Sequence, residues 1–451
     1  MTSLPLLRSL RSSGAIGRLW PAAAVLGGGV LLVDSLHGPL SSLLSLSAAA
    51  AGVWVLAGRL KPSGASLPRT SLAWLERLEA VQASFERLQP EDQAGQRQRQ
   101  QELEQLQARQ GRHQLELALV GSIAWSEAEQ QALLAALRCR LPLRLLCSEP
   151  LPAAAQSWRW PTPFRRCDHV LLRLSLPLSA ADLRWLEAVP QGQEAWLLVD
   201  RPGEGAWSAH WDALQCQLPE ALRERCWPWS PQCPESLPAD LAPLAAQLAS
   251  SDQALIERSQ LRSLQELHAG WQLELEGVRR RHWAELLQRT QWTVAAGVVL
   301  APLPSLDLLV LAAANGLMLQ EMARLWECSW SLEQLQAAAL QLARAALSLG
   351  VVEWSSQALG SLVKLHAATW LVGGALQALS AAYLTRVVGR AMADYLALAA
   401  GVPEEELEAL LQRQAPLLVA QAAESERLDW AGFVQQGRQW LQSLPAAQPA
   451  G

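Results

Sequence analysis

Lysine is nearly missing: Lys61 and Lys364 are the only two among 37 basic residues in a chain of 451, and the rest are arginine. The net charge is −5 and no basic stripe stands out. That excludes DNA or RNA as the natural partner, because nucleic-acid binding needs clustered groups that neutralise phosphate. The seven cysteines include no C-x-x-C pair and their number is odd. A disulfide framework is therefore not indicated, and a reducing compartment fits better. His210, Cys216, Cys226 and Cys233 lie at irregular spacing with prolines between them. They read as ordinary buried thiols, not as zinc ligands, and no metal site is expected. What the chain does have is length and apolar content. Half of its residues are hydrophobic, enough for two or three domains, each with its own core.

The first apolar runs lie at the start, "LWPAAAVLGGGVLLVDSL" at 19–36 and "PLSSLLSLSAAAAGVWVLAGRL" at 39–60. Each is close to the roughly 20 residues that span a bilayer. Arg8, Arg11 and Arg18 precede the pair, Arg59, Lys61 and Arg69 follow it, and the turn between holds no Lys or Arg. Residues 1–61 thus read as a transmembrane hairpin with both ends in the cytoplasm. The alternative is a signal peptide followed by a soluble helix, but no A-x-A site cleanly follows the first run. Residues 62–114 are a Pro/Gly/Ser linker and then amphipathic helices, broken near Gln89–Gly95, with a short coiled coil as one reading.

From 115 the pattern changes. "LELALVG" (115–121), "LRLLCS" (143–148), "HVLLRLS" (169–175) and "AWLLVD" (195–200) are short apolar runs. "SEAEQQALLAALR" and "SAADLRWLEAV" have helical spacing, with Ser179 as N-cap and Asp182 three residues on. Alternating strands and helices predict a parallel sheet covered on both faces over 115–250. One long charged helical stretch over 239–290 then provides a connecting helix at 251–290. It leads into an apolar region at 291–401, broken at "APLPSLD" by Pro302 and Pro304. Ser331 with Gln334 makes a capping-box start for a helix at 331–349. The apolar centre Ala367–Leu384 is long enough to cross a membrane. The tail, 402–451, reads as one acidic helix and a frayed end. Trp20, Trp54, Trp292 and Trp370 fall near the ends of apolar segments, as an interfacial belt would place them. Arg386 and Arg390 read as anchors reaching the interface. Asp307 reads as a helix N-cap, with an intramembrane ion site as the alternative.

Two stretches, "APLPSLDLLVLAAANGLMLQEMARL" (301–325) and "AAYLTRVVGRAMADYL" (381–396), carry a Pro-x-Pro-x-x-Asp entry (Pro302, Pro304, Asp307) and a Thr-Arg-x-x-Gly-Arg exit (Thr385, Arg386, Gly389, Arg390). On these residues the region of about 285–400 resembles the DUF697 family, which includes YcjF-like membrane proteins. The resemblance implies a helical, membrane-associated domain, often found C-terminal to a small GTPase domain. With that context, 115–250 resembles a degenerate Era-like GTPase domain. "GSIAWSEA" (121–128) stands where the phosphate-binding loop would be. Gly121 and Ser122 open it, but Ser126, Glu127 and Ala128 replace the Gly, Lys and Ser/Thr of the pattern G-x-x-x-x-G-K-[ST]. Val199, Asp200, Arg201 and Pro202 stand where a guanine-reading Asn-Lys-x-Asp would be. Without the lysine, the Mg²⁺-binding hydroxyl and the base reader, GTP hydrolysis is not expected.

The sequence thus predicts an α/β domain with a degenerate P-loop-like parallel sheet, set between an N-terminal membrane hairpin and a C-terminal all-α membrane domain. The expected role is a non-catalytic scaffold or regulator, a pseudo-GTPase without cofactor, with GTP or GDP disfavoured. The membrane is the expected partner; protein partners are unidentified, and a homo-oligomer is left open. A bacterial inner membrane, with the α/β domain in the cytoplasm, is the expected location, or the thylakoid in a photosynthetic source. The alternatives are a GTP-binding membrane switch with a non-standard loop, and a transporter or channel component.

Overall fold

A computed structural model describes residues 68–137, 139–149, 160–190, 192–201, 207–231, 233, 236–250, 252–300, 316–366, 375–399 and 404–443. The expected hairpin within 1–61, and Pro202, Pro302, Pro304 and Asp307, lie outside them. The chain divides into two compact units, one of them Ser66–Arg279; the described part of the other begins at Arg280.

The first unit opens with helices α1, Ser71–Leu88, and α2, Gln93–Ala108. Thr70 and Asp92 cap them, accepting from the backbone N–H of Ala73 and Gly95. Trp74, Leu78, Phe85, Leu103 and Leu106 pack with Leu264, Trp271 and Leu275 of a much later helix. These helices are therefore part of a three-helix core and not a two-stranded coiled coil. The apolar residues that complete their stripe are not within 62–114.

Five strands follow: β1 Leu115–Gly121, β2 Leu143–Cys147, β3 His169–Leu174, β4 Glu194–Asp200 and β5 Cys226–Trp229. All pair in parallel, in the order β2-β1-β3-β4-β5. Helices α3, Glu127–Ala136, α4, Ala180–Glu187, α5, Trp207–Gln217, and α6, Ala242–Ser250, cover the sheet. Leu115, Leu117 and Leu119 face one layer with Leu133, Leu244 and Leu248. Ala118 and Val120 face the other, with Trp185 and Leu214. Both faces are buried, so the strands are near-continuous apolar runs.

β5 has no counterpart in the sequence reading. It is four residues long and contains Pro228, which an edge strand tolerates because one side of its backbone needs no ladder bond. The single stretch read over 239–290 is also corrected. A helical turn at Leu237–Asp240 and α6 precede α7, Asp252–Leu300. Pro243 sits in the first turn of α6, where a missing N–H breaks no helical bond. Of the thiols read as buried, Cys226 is, but Cys216 and Cys233 are exposed.

Polar side chains are buried at the amino end of the sheet. The Asp168 carboxylate accepts from the Glu116 amide at 2.8 Å, from Ser259 Oγ and from Arg112. Arg262 donates to the Cys167 carbonyl at 2.5 Å and to the Arg165 carbonyl at 3.2 Å. These bonds tie α7 to the sheet. His169, fully buried, accepts at Nδ1 from Trp196 Nε1 at 3.3 Å. Burial pushes its pKa down from 6.5 to about 4, against the opposing pull of Glu194 and Asp168. The unfolded chain therefore binds this proton more readily, and stability falls as pH drops from 6.5 toward 4. The expected loss is roughly 3 kcal/mol. Urea midpoints of wild type and His169→Gln, compared across that window, check it: the variant should lose about one proton's worth of the slope.

The second unit is helical: the end of α7, residues 316–325, α8 Leu332–Ser348, α9 Val351–His366, α10 Ala375–Ala399, α11 Glu404–Leu428 and α12 Trp430–Ser443. Ser331 caps α8 in a reciprocal box with Gln334, as its sequence predicts. Ala378, Leu379, Ala382, Tyr383, Val387 and Ala391 bury α10 at the centre of the core. Among the described residues no single helix is long and apolar enough to cross a membrane. One bent pair, α8 with Val351–Ser361, passes by length and composition together, at an angle of 56°. Of the apolar run 367–384, residues 367–374 lie outside the described residues. The tail carries a second helix, α12, beside the one expected; the Pro/Ala/Gln end read as frayed lies outside the described residues. Its Phe433 and Trp440 stack on Trp292, at 6.1 and 5.3 Å between ring centroids. Trp292 is thus partly buried against the helical core.

Candidate functional site

In an open parallel sheet, ligands bind beyond the carboxyl ends of the strands, where the strand order reverses. With the order β2-β1-β3-β4-β5 that point lies between β1 and β3. The loop "GSIAWSEA" leaves β1 there, so the sequence reading and the topology point to one place.

Each residue of the loop has a structural task. Gly121 has φ +144°, and a Cβ on it would lie 2.1 Å from the Arg173 carbonyl oxygen on β3. The glycine therefore lets two strands approach. Ser122 Oγ donates to Asp182, a fully buried carboxylate that also accepts from the Ser179 amide and hydroxyl. Ser126 is the N-cap of α3. Its hydroxyl accepts from the Glu129 amide at 3.3 Å, and its amide donates to Glu129 Oε2 at 2.8 Å. "SEAE" is thus a capping box, and Glu127 and Ala128 are exposed first-turn residues. The acids Glu127 and Glu129 complement the positive end of the helix where a phosphate would otherwise do so.

Arg173 fills the crevice. Its guanidinium lies against the edge of the ring pair Trp125 and Trp229, which stack 5.9 Å apart at 14°. Cζ is 5.0 and 4.9 Å from the two centroids. Nε and Nη2 both bond the Asp200 carboxylate at 3.0 Å, Nη2 meets Glu129 Oε1 at 2.9 Å, and Nη1 donates to the Ala124 carbonyl at 3.2 Å. The Arg173 side chain is 4% exposed. Burial works against its charge, but Asp200 and Glu129 outweigh that and raise its pKa. Burial lifts the Asp200 carboxyl above its usual range despite Arg173. For Glu129, burial acts upward too, but the bonds from Arg173 and Ser126 prevail and hold it below its usual value. One cation against two carboxylates leaves the crevice net negative, the wrong sign for a phosphate.

Of the base-reading positions, Val199 is core and Asp200 belongs to Arg173. Arg201 donates its amide to the Trp229 carbonyl at 2.7 Å, with its guanidinium over Trp207 at 5.2 Å. Among the described residues no group of three His, Cys, Asp or Glu could hold a metal ion.

The C-terminal motif is also structural. Thr385 donates to the Ala381 carbonyl one turn back at 2.9 Å. A Cβ on Gly389 would stand 2.8 Å from Leu287, so α10 and α7 touch there. Arg386 and Arg390 both bind Glu426, which is 2% exposed, and Arg386 also binds Asp429. They are interior ion-pair partners and not interfacial anchors, because α11 presents a buried carboxylate to them. The sequence reading missed Arg173, Trp125, Glu129, Trp229 and Glu426. A signal did exist for Arg173: a charge inside "HVLLRLS", a strand buried on both faces, must be paired.

A glycine held by strand contact bears substitution poorly. Gly121→Ala should cost about 2–4 kcal/mol through overlap and a disfavoured φ. Gly270→Ala in α7, where nothing lies within 4 Å, should gain about 0.5–1 kcal/mol. Denaturant midpoints of the two variants check both signs.

Comparison with known proteins bears on the helical part of the chain. Residues 262–419 match the family model described as Domain of unknown function (DUF697). No curated protein and no solved structure matches the chain. The match leaves the sheet outside it and takes in α8, α9, α10 and most of α11, with the motif Thr385, Arg386, Gly389 and Arg390. Residues 262–419 belong to the DUF697 family.

Proposed function

We propose that this chain is a membrane-anchored scaffold or regulator, whose α/β domain is laid out like a small GTPase but neither binds nor hydrolyses nucleotide. The observation that carries this reading is Arg173, set beside the Trp125–Trp229 pair and bound to Asp200 and Glu129. It occupies the crevice with the protein's own charges, and the loop before it spends Ser126 on a helix cap. A folded module of this kind serves by holding a partner, not by turnover. Membrane attachment is supported by the arginine-flanked apolar runs at 19–36 and 39–60, and by the bent apolar pair α8–α9. The expected site is the bacterial inner membrane, or a thylakoid, with the sheet domain on the cytoplasmic side.

Equilibrium binding of fluorescent GTP and GDP, with Mg²⁺, to the full chain in detergent tests the first half. No guanine-selective, saturable binding is expected at high micromolar nucleotide; such binding would make the protein a nucleotide switch instead. Fractionation tests the second half. The chain should need detergent for extraction, and recovery in the soluble fraction without it would overturn the membrane assignment.

A further inference from the structure

A cavity of about 580 Å³ opens at the amino end of the sheet, away from the Arg173 crevice. α2 forms one wall through Gln101, Gln105 and Arg109. The floor is Glu116 of β1 with Arg144 of β2, and the turn Thr162–Arg165 with Arg166 closes the far side. Its volume lies within the range of small-molecule sites.

The charges on these walls are unequally matched. Glu116, 3% exposed, is bound at Oε2 by Arg109 and by Arg112 at 3.0 Å, with Arg144 3.9 Å from Oε1. It is therefore neutralised from within the protein. Glu102 accepts from Gln98 and from Trp271 Nε1. Arg166 differs from both. Its guanidinium is half-buried and makes no hydrogen bond or ion pair among the described residues. The backbone carbonyl of Arg166 accepts from Arg109 at 3.1 Å, which brings a second guanidinium to the same wall. Burial, and then repulsion from Arg109, hold the Arg166 pKa below its ordinary value. Glu102 and Glu266 attract the charge through space, but no acceptor is bonded to its five donors, so a bound acceptor would compensate the desolvation further. An oxyanion placed between Arg166 and Arg144 would supply that compensation through forked, charge-assisted bonds, with the amides of Gln101 and Gln105 as further donors.

We propose that this cavity is a binding site for a small-molecule oxyanion, a phosphate or a carboxylate, held by Arg166 and Arg144. It is independent of the sheet's empty-handed crevice and needs no base recognition. Calorimetric titration of the full chain in detergent with inorganic phosphate, and separately with citrate, tests it. Saturable binding of one or both is expected, and whichever binds more tightly identifies the class. Arg166→Gln should weaken the binding at least about tenfold, the worth of one charge-assisted fork. Arg144→Gln should weaken it less, because that side chain is 61% exposed. The unliganded melting temperature of Arg166→Gln should be close to that of wild type, since the lost charge had no bonded partner and only the through-space attraction of Glu102 and Glu266. Absence of saturable binding by either probe overturns the proposal. So does equal binding in wild type and Arg166→Gln. A clearly lower unliganded melting temperature for Arg166→Gln would overturn it too, by showing that the guanidinium serves the fold.

Discussion

Replacing Arg173 by alanine should cost the protein about 3–5 kcal/mol, the usual consequence of removing one partner from a buried ion pair. The change empties the slot beside the Trp125–Trp229 pair and strands Asp200 and Glu129 without their cation. In a unit of this size the loss should lower the melting temperature by about 6–20 °C. Arg173→Met refills the slot with an unbranched apolar chain but leaves the carboxylates unpaired, so it should recover only part. Combining it with Asp200→Asn should recover more, and that double-mutant cycle separates the pairing from the packing. Neither variant should gain nucleotide binding, because the loop still has no lysine and no Mg²⁺-binding hydroxyl. A loss below about 1 kcal/mol on Arg173→Ala would mean that the cluster behaves as a solvated surface pair.

The second large effect is expected at Glu426. Alanine there leaves Arg386 and Arg390 without their shared carboxylate and should cost about 3–5 kcal/mol. Glu426→Gln keeps an acceptor and the shape, and should cost less. Had Arg386 and Arg390 been solvent- or lipid-facing anchors, neither substitution would matter much. Denaturation monitored by tryptophan fluorescence in detergent distinguishes the two, since Trp292, Trp354 and Trp430 pack in the same core.

The parts of this fold legible in the sequence are those written in neighbouring residues. Four strands were readable as short apolar runs, and two helix starts as Ser179 with Asp182 and Ser331 with Gln334. A third start, Ser126 with Glu129, was masked by its place in a phosphate-loop pattern: position suggested a lost ligand site where local chemistry spelled a cap. β5 was hidden because four residues with a central proline carry no strand signal. The crevice could not be read in advance because its members come from four strand ends and a helix, from Trp125 to Trp229. No local pattern links an arginine in one strand with an aspartate at the end of the next. The ion pairs of Arg386 and Arg390 failed for the same reason, their carboxylate lying on another helix. The DUF697 motif was legible as a string, yet its described residues, Thr385, Arg386, Gly389 and Arg390, do packing and pairing work.

The alternation along β1 carries one further consequence. Leu115, Leu117 and Leu119 point to one layer and the smaller Ala118 and Val120 to the other, and both layers are apolar. Polarity marks only the amino end, where Glu116 meets Arg109 and Arg112; from Leu117 on it cannot tell the strand which way up to lie. Size can. A slip of one residue would drive leucines into space built for Ala118 and Val120, and leave voids where leucines had been, each costing on the order of 1–3 kcal/mol. The sheet's alignment is thus encoded in side-chain volume. Equal-volume shuffles within one layer should be tolerated, whereas exchanging Ala118 with Leu119 would scramble the frame without altering the strand's hydrophobicity.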